Sequence, residues 1–234
     1  MPDLRRRSER TEWLDTASPT REARAAYLRS LAFFNGAMLG HRPVLAWLDA
    51  TTRNARAPLT LLDVGCGHGD LLRAIRRFAD RRGIALRLIG VDIAAETIAI
   101  ARAATAPGDD IDYVAADVFN LRPAVRIDLV VSSLLAHHLD DVRLAAFLRF
   151  AETMARRGWL IVDLERHPVP YHAIGFAGRL LRIDPKVIAD GRISVTRALR
   201  REEWRAAIAA AGIDPHAVRV DRFLWRVAVS RRKD

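Results

Sequence analysis

Residues 59–83 read LTLLDVGCGHGDLLRAIRRFADRRG. The opening apolar run is short enough for a buried strand, and it ends in three closely spaced glycines. The amphipathic "DLLRAIRRFADRR" behind them has helical spacing, and a glycine stops it. The strand-turn-helix unit recurs downstream: "LRLIGVDI" before "AAETIAIARAAT", "IDYVAADV" before a short connection, and "IDLVVSSLL" before "DDVRLAAFLRFAETMARRG". A fifth strand, "WLIVDLE", follows. Apolar runs alternating with helices predict parallel strands covered on both faces, joined by right-handed crossovers. The expected fold class is doubly wound α/β.

Working outward, residues 1–57 read as a loose arm over 1–18 followed by a cap of two helices in 21–40 and 41–55. Residues 58–164 form the core. Residues 165–199 interrupt the rhythm after strand five and read as a partly helical lid insert. Residues 200–234 supply a helix and a closing hairpin, one strand of which is antiparallel. At 234 residues, all of this belongs to one domain.

Composition narrows the function classes. Half of the residues are hydrophobic and 28% charged, so the chain can bury a core. No uncharged stretch approaches the roughly 18 apolar residues of a membrane span, and no apolar signal region follows the basic start. The expected location is the cytoplasm. The lone Cys66 excludes an internal disulfide and a multi-cysteine zinc site. The net charge of +10 favours anionic partners. Apart from Lys186 and Lys233 the cations are all arginine, a bias that a GC-rich genome also produces, and no basic stripe interleaved with aromatics is present.

The glycine turn spaces Gly65, Gly67 and Gly69 as G-x-G-x-G, and Asp70 stands where a dinucleotide fingerprint needs its third glycine. No Lys-Ser/Thr follows to make a P-loop. Asp63 and Asp70 flank the turn, with no Lys or Arg between 63 and 72. A pyrophosphate would be repelled there and a ligand bearing ammonium and sulfonium charges attracted. Asp92 closes the second strand, placed to accept hydrogen bonds from both hydroxyls of a ribose, and Asp117 closes the third, within reach of an adenine amino group. Ile93 and Val118 are set to sandwich the ring. Cys66 reads as small filler in the cofactor turn, Asp70 as a first-turn acid serving the helix dipole, and His68 as a residue that shapes the bend.

"DVGCGHGD", Asp92, Asp117 and "DLVVSSLLAHHL" together resemble the class I S-adenosylmethionine-dependent methyltransferases over residues 59–164. The resemblance implies a Rossmann-like seven-stranded sheet, mostly parallel with an antiparallel terminal strand. It also implies S-adenosyl-L-methionine as cofactor, contacted by Asp63, Gly65, Cys66, Gly67, Gly69, Asp92, Ile93, Asp117, Val118 and Ser133. A looser similarity of "LRSLAFFNGAMLGHR" and "VDLERHPVPYHAIGFAGRLLR" points to a bacterial small-molecule subgroup tied to polyketide and quinone-like pathways.

In-line methyl transfer draws mainly on proximity, worth up to roughly 7–11 kcal/mol, and a base adds about 10²- to 10⁴-fold for a hydroxyl acceptor. His138 and His137, just past strand four, are the candidate bases, with helix capping or packing as the alternative. Ser132 and Ser133 are candidates for polar contacts, and His167, Tyr171 and His172 for the acceptor pocket. Phe33, Phe34, Leu39, Tyr171, Ile174, Phe176 and Leu180 are expected to wall that pocket or pack the core. Histidines at 41, 68, 137, 138, 167, 172 and 216 have no ligand spacing, so no metal is expected. The expected reaction is methyl transfer to a small aromatic, polyketide-like or quinone-like hydroxyl, with carbon methylation a close variant. "SSLL" in place of an Asn/Asp-Pro-Pro-aromatic string argues against nucleic-acid amines. RNA methylation and a non-catalytic cofactor-binding partner subunit remain open alternatives.

Overall fold

The computed structural model describes residues 3–53, 55 and 57–233. Met1, Pro2, Asn54, Arg56 and Asp234, which fall in the expected arm, cap and hairpin, lie outside the described residues. Helices α1 (Trp13–Thr16), α2 (Arg21–Ala37) and α3 (Arg42–Thr52) precede β1 (Leu59–Val64) and α4 (Asp70–Arg82). Next come β2 (Leu86–Asp92), α5 (Ala95–Ala103), β3 (Ile111–Ala115) and β4 (Leu129–Ser133). The second half runs α6 (Asp141–Met154), β5 (Gly158–Leu164), α7 (Pro168–Leu180), α8 (Pro185–Arg197), α9 (Arg201–Ala210), β6 (Arg219–Phe223) and β7 (Arg226–Arg232).

The seven strands form one sheet in the order β3-β2-β1-β4-β5-β7-β6, the mostly parallel doubly wound arrangement expected. β7 inserts antiparallel between β5 and β6, pairing Gly158 with Arg232 and Leu164 with Arg226. Chain order reverses between β1 and β4, which leaves a crevice above the carboxyl ends of β1, β2 and β4.

Alternation along each strand splits the core into two layers. Leu62 and Val64 of β1, Val130 of β4, Trp159 and Ile161 of β5 and Val227 and Val229 of β7 pack with α6 and α9, where Trp204 is fully buried. Leu59 and Leu61, Leu129 and Val131, and Leu160 and Val162 face α3 and α4. A third cluster, built from Tyr27, Leu28 and Phe34 of α2 with Ile174 of α7 and Val187 and Val195 of α8, roofs the strand ends.

Two expectations need correction. Of the two helices assigned to the cap, α3 is a sheet-covering helix, because Val44 and Leu48 are completely buried against the strands; only α2 sits over the crevice. The arm is docked rather than loose. Arg7 donates to Leu139 O and Arg197 O, Ser8 N to Thr196 O, and Trp13 N to the Asp190 carboxylate. The insert is partly helical, as expected, and α7 packs against α8 through Gly178, where any Cβ would meet the Ile188 side chain.

Gly90 in β2 marks the tightest point beneath the glycine turn: an added Cβ would lie 2.6 Å from Leu72 Cδ1 and 2.9 Å from Cys66 Sγ. Gly90→Ala is therefore expected to cost about 1–3 kcal/mol through overpacking, measured by urea unfolding. Unchanged stability would mean that this layer has slack to spare.

Candidate functional site

The glycine turn is shaped by its own backbone. Gly65, Gly67 and Gly69 all have positive φ, +72°, +51° and +76°. Gly65 N and Cys66 N both donate to Val91 O, at 2.8 and 3.0 Å, tying the end of β1 to β2. A Cβ on Gly69 would overlap the Tyr113 hydroxyl, whereas one on Gly67 would meet nothing within 4 Å. Gly67 therefore presents bare peptide to open space.

Asp63, next to last in β1, lies in the cavity beside this turn with Ser133, His41 and Asp70. Its Oδ1 is buried and has no hydrogen-bond partner. Burial, reinforced by the nearby Asp70 and Asp92 charges, pushes its carboxyl well above the usual carboxylate range. Asp70 goes the other way. Burial would raise its carboxyl, but a 2.8 Å hydrogen bond to His41 Nε2 holds it below the ordinary value. His68 is tied to Arg73 by a 2.8 Å contact at Nδ1. Cys66 turns its thiol into the layer under Gly90, where burial pushes it up and keeps it protonated, so Cys66 offers the crevice its peptide and not its sulfur.

On the other side of the turn a second cavity, about 440 Å³, is lined by Asp92, Ile93, Asp117, Val118, Phe119, Leu134, Leu135 and His138. That size suits a nucleoside. Asp92 accepts from Gly67 N at 3.1 Å and Ala94 N at 3.0 Å, and burial raises its carboxyl above the ordinary value. Asp117 caps the following turn by accepting from Phe119 N. Ile93 is 70% exposed, a large apolar side chain left uncovered at the cavity wall. Ser132 is spent on structure: its hydroxyl donates to Val64 O and locks β4 to β1.

The two histidines after β4 occupy different environments. His137 is fully buried, its Nδ1 2.7 Å from Asp163 Oδ1 and its amide N donating to Asp163 Oδ2. Its Nε2 stands 3.3 Å from Glu12 Oε1 at an angle too poor for a hydrogen bond. Burial works against charging this ring, but the carboxylates of Asp163 and Glu12 overcome it and raise its titration to about 10. The ring lines the inner pocket under α2 and not the nucleoside-sized cavity. His138 is partly exposed, lies 3.7 Å from Glu12 and 3.5 Å from Asp15, and lines both the nucleoside-sized cavity and an inner pocket under α2.

That inner pocket is walled by Tyr27, Leu31, Phe34, Met38, Ile174 and Trp225, with Asp190 among its polar groups. Of the wall residues expected from sequence, Phe34 and Ile174 are there. Phe33, Phe176 and Leu180 are mostly exposed, because the buried faces of α2 and α7 lie on their opposite sides, and Tyr171 stacks under Arg192. His167 caps α7, accepting from Val169 N. Arg226 was not anticipated at all. Its guanidinium lines both the Asp63 cavity and the inner pocket, and its buried Nε and Nη1 have no hydrogen-bond partner. Burial lowers its titration to about 10, so it keeps its charge. Glu12 and Tyr27 were likewise missed. The available signal for Asp163 was a single charge within an otherwise apolar strand; Arg226 opens a strand that also ends in two arginines and carried no such mark.

Comparisons with known proteins agree with this geometry. The methyltransferase domain family matches residues 61–158. A ubiquinone biosynthesis O-methyltransferase of Methylobacterium sp. (strain 4-46) is 31% identical over 150 residues, 63% of this chain and 55% of the relative. The chain spans about half the length of the curated relatives it matches. Among solved structures, the plantazolicin methyltransferase BpumL, in complex with a desmethylPZN analog and SAH, superimposes with a TM-score of 0.63 at 13% identity, over 92% of this chain and 96% of that one. Magnesium protoporphyrin IX methyltransferase from Synechocystis PCC 6803 with bound SAH gives 0.56 at 16% identity, over 85% and 84%. Among the described residues, no helix is long and apolar enough to cross a membrane.

Asp63 provides a test of the site's electrostatics. A carboxyl whose folded titration lies above its unfolded one contributes stability at low pH and loses it as pH rises. Asp63→Asn removes that loss. The ligand-free variant is expected to melt higher than the parent at pH 7, with the gain shrinking toward pH 4. A lower melting temperature at pH 7 would mean that the carboxylate is already compensated.

Proposed function

We propose that the chain is a class I S-adenosylmethionine-dependent methyltransferase that methylates a small aromatic, polyketide-like or quinone-like acceptor at a hydroxyl oxygen, a reading supported by the methyltransferase domain match and the O-methyltransferase relatives. One observation carries the cofactor half of this reading: a partnerless buried carboxyl, Asp63, beside bare glycine peptide and a ribose-height acid, Asp92. These residues fit S-adenosyl-L-methionine. The Asp63 carboxylate, disfavoured by burial alone, suits the ligand's ammonium, and Arg226, a buried cation with unused donors, suits its carboxylate. Asp92 serves the ribose hydroxyls, Asp117 the adenine amino group, and Ile93 and Val118 the ring faces. Ser133 and the Gly65 and Gly67 peptides complete the wall of the amino-acid tail, with Gly69 shaping the turn behind them.

The cofactor supplies an electrophilic methyl group on a sulfonium. The chain's part is to bring an acceptor oxygen up to it from the apolar pocket under α2, to shut out water with the α2–α7–α8 roof, and to receive the acceptor's proton. His138 is the assigned proton acceptor, since it borders both cavities and is not locked into the buried ion pair that holds His137. A hydroxyl acceptor is supported by the O-methyltransferase relatives and by the walls of Tyr27, Phe34 and Trp225.

Calorimetric titration with S-adenosylhomocysteine is expected to show saturable binding, weakened more than tenfold in Asp92→Ala, which deletes a charge-assisted ribose contact. No binding of it or of S-adenosylmethionine would end the reading. In turnover with catechol- and quinol-type acceptors, His138→Ala is expected to lower kcat at least about 10²-fold while leaving cofactor affinity within about twofold. Unaltered turnover would remove the base, and methyl transfer to RNA alone would replace the acceptor class.

A further inference from the structure

The docked arm brings together three ligating side chains that are far apart in sequence. Carboxylate oxygens of Glu12 and one ring nitrogen each from His137 and His138 all lie within 4.8 Å of one another. We propose that this cluster is a divalent metal site of the two-histidine, one-carboxylate type, suited to Zn²⁺ or a similar first-row cation.

Four observations support it. The Nε2 atom of His137, on a ring 2% exposed, has no hydrogen-bond partner and faces Glu12, and a cation bound there would take the place of its proton, which leaves to solvent. Its Nδ1 is held at 2.7 Å by Asp163, the carboxylate-on-histidine arrangement that orients metal-ligating imidazoles and fixes Nε2 as the ligating atom. Separations of 3.3 Å from His137 Nε2 to Glu12 Oε1 and 3.7 Å from His138 Nε2 to Glu12 Oε2 set one imidazole nitrogen against each carboxylate oxygen, so the three side chains converge. Ser194 Oγ donates to Glu12 Oε1 at 2.7 Å and orients the third ligand. With three protein ligands one position is left over, as in catalytic rather than structural zinc sites.

The place in the fold suggests what that position is for. All three residues line the inner pocket, and His138 also lines the nucleoside-sized cavity. A cation there would stand at the boundary between the two and could polarise an acceptor oxygen. His138 cannot ligate a metal and accept a proton through the same nitrogen, so the metal-loaded chain would rely on the cation where the metal-free chain relies on the imidazole.

The test uses untagged full-length protein, stripped with a chelator and dialysed. Zn²⁺ titrated by calorimetry should bind at one equivalent with micromolar affinity or better, and Co²⁺ should develop the visible absorption of a low-symmetry, four- or five-coordinate site. Glu12→Gln and His138→Gln should each weaken Zn²⁺ binding more than 100-fold while S-adenosylhomocysteine binding is retained. If Glu12→Gln fails to fold, His138→Gln, whose ring is partly exposed, carries the comparison. Absence of a one-equivalent site in the parent, or an affinity unchanged in the folded variants, would overturn the proposal, the latter by assigning binding to other surface groups.

Discussion

Three carboxylates, Asp63, Asp70 and Asp92, converge where β1 and β2 end, and like charges withdrawn from water cannot all stay ionised without help. Asp70 is relieved by His41 and Asp92 by two backbone amides, but Asp63 has no relief and its carboxyl is pushed up. Much of the upper half of the molecule can be understood from that imbalance. The glycine turn exposes peptide beside the strained acid, the roof of α2, α7 and α8 keeps solvent from it, and the buried Arg226 sets a positive charge across the same cavity. A ligand carrying an ammonium and a carboxylate at one end satisfies both unmet groups at once.

The sheet could be read from the chain because its determinants are local. A strand buried on both faces must be largely apolar, and β1, β4 and β5 are. Acids that close such runs land on the same edge of a parallel sheet, so Asp63, Asp92 and Asp117 fell into place without any contact information. Local patterning could not show which face a helix buries. α3 has the same spacing as a cap helix and lies on the sheet, and Phe176 and Leu180 have the character of pocket residues and face solvent.

The histidine pair shows the same limit in its chemistry. Adjacent in sequence, His137 and His138 looked interchangeable. A 3₁₀ turn at Ala136–His138 sends one ring inward against Asp163 and leaves the other at the cavity edge. The partners that separate them, Glu12 and Asp15, come from a segment rich in charge that carried no periodic signal. Long-range ion pairs of this kind leave only an indirect mark in sequence, an isolated charge in an apolar strand such as Asp163.

The docking of the arm has a practical consequence for anyone who trims or decorates this chain. The methyltransferase domain match begins far from residue 12, at residue 61, yet Glu12 and Asp15 stand within 4 Å of the histidines at the sheet edge. A version cut back to residues 61–158 would discard the arm and part of the chemistry together with β6, β7 and nearly all of β5. Fusion partners are better attached after β7, because a bulky leader ahead of Arg7 would compete with the contacts that seat the arm.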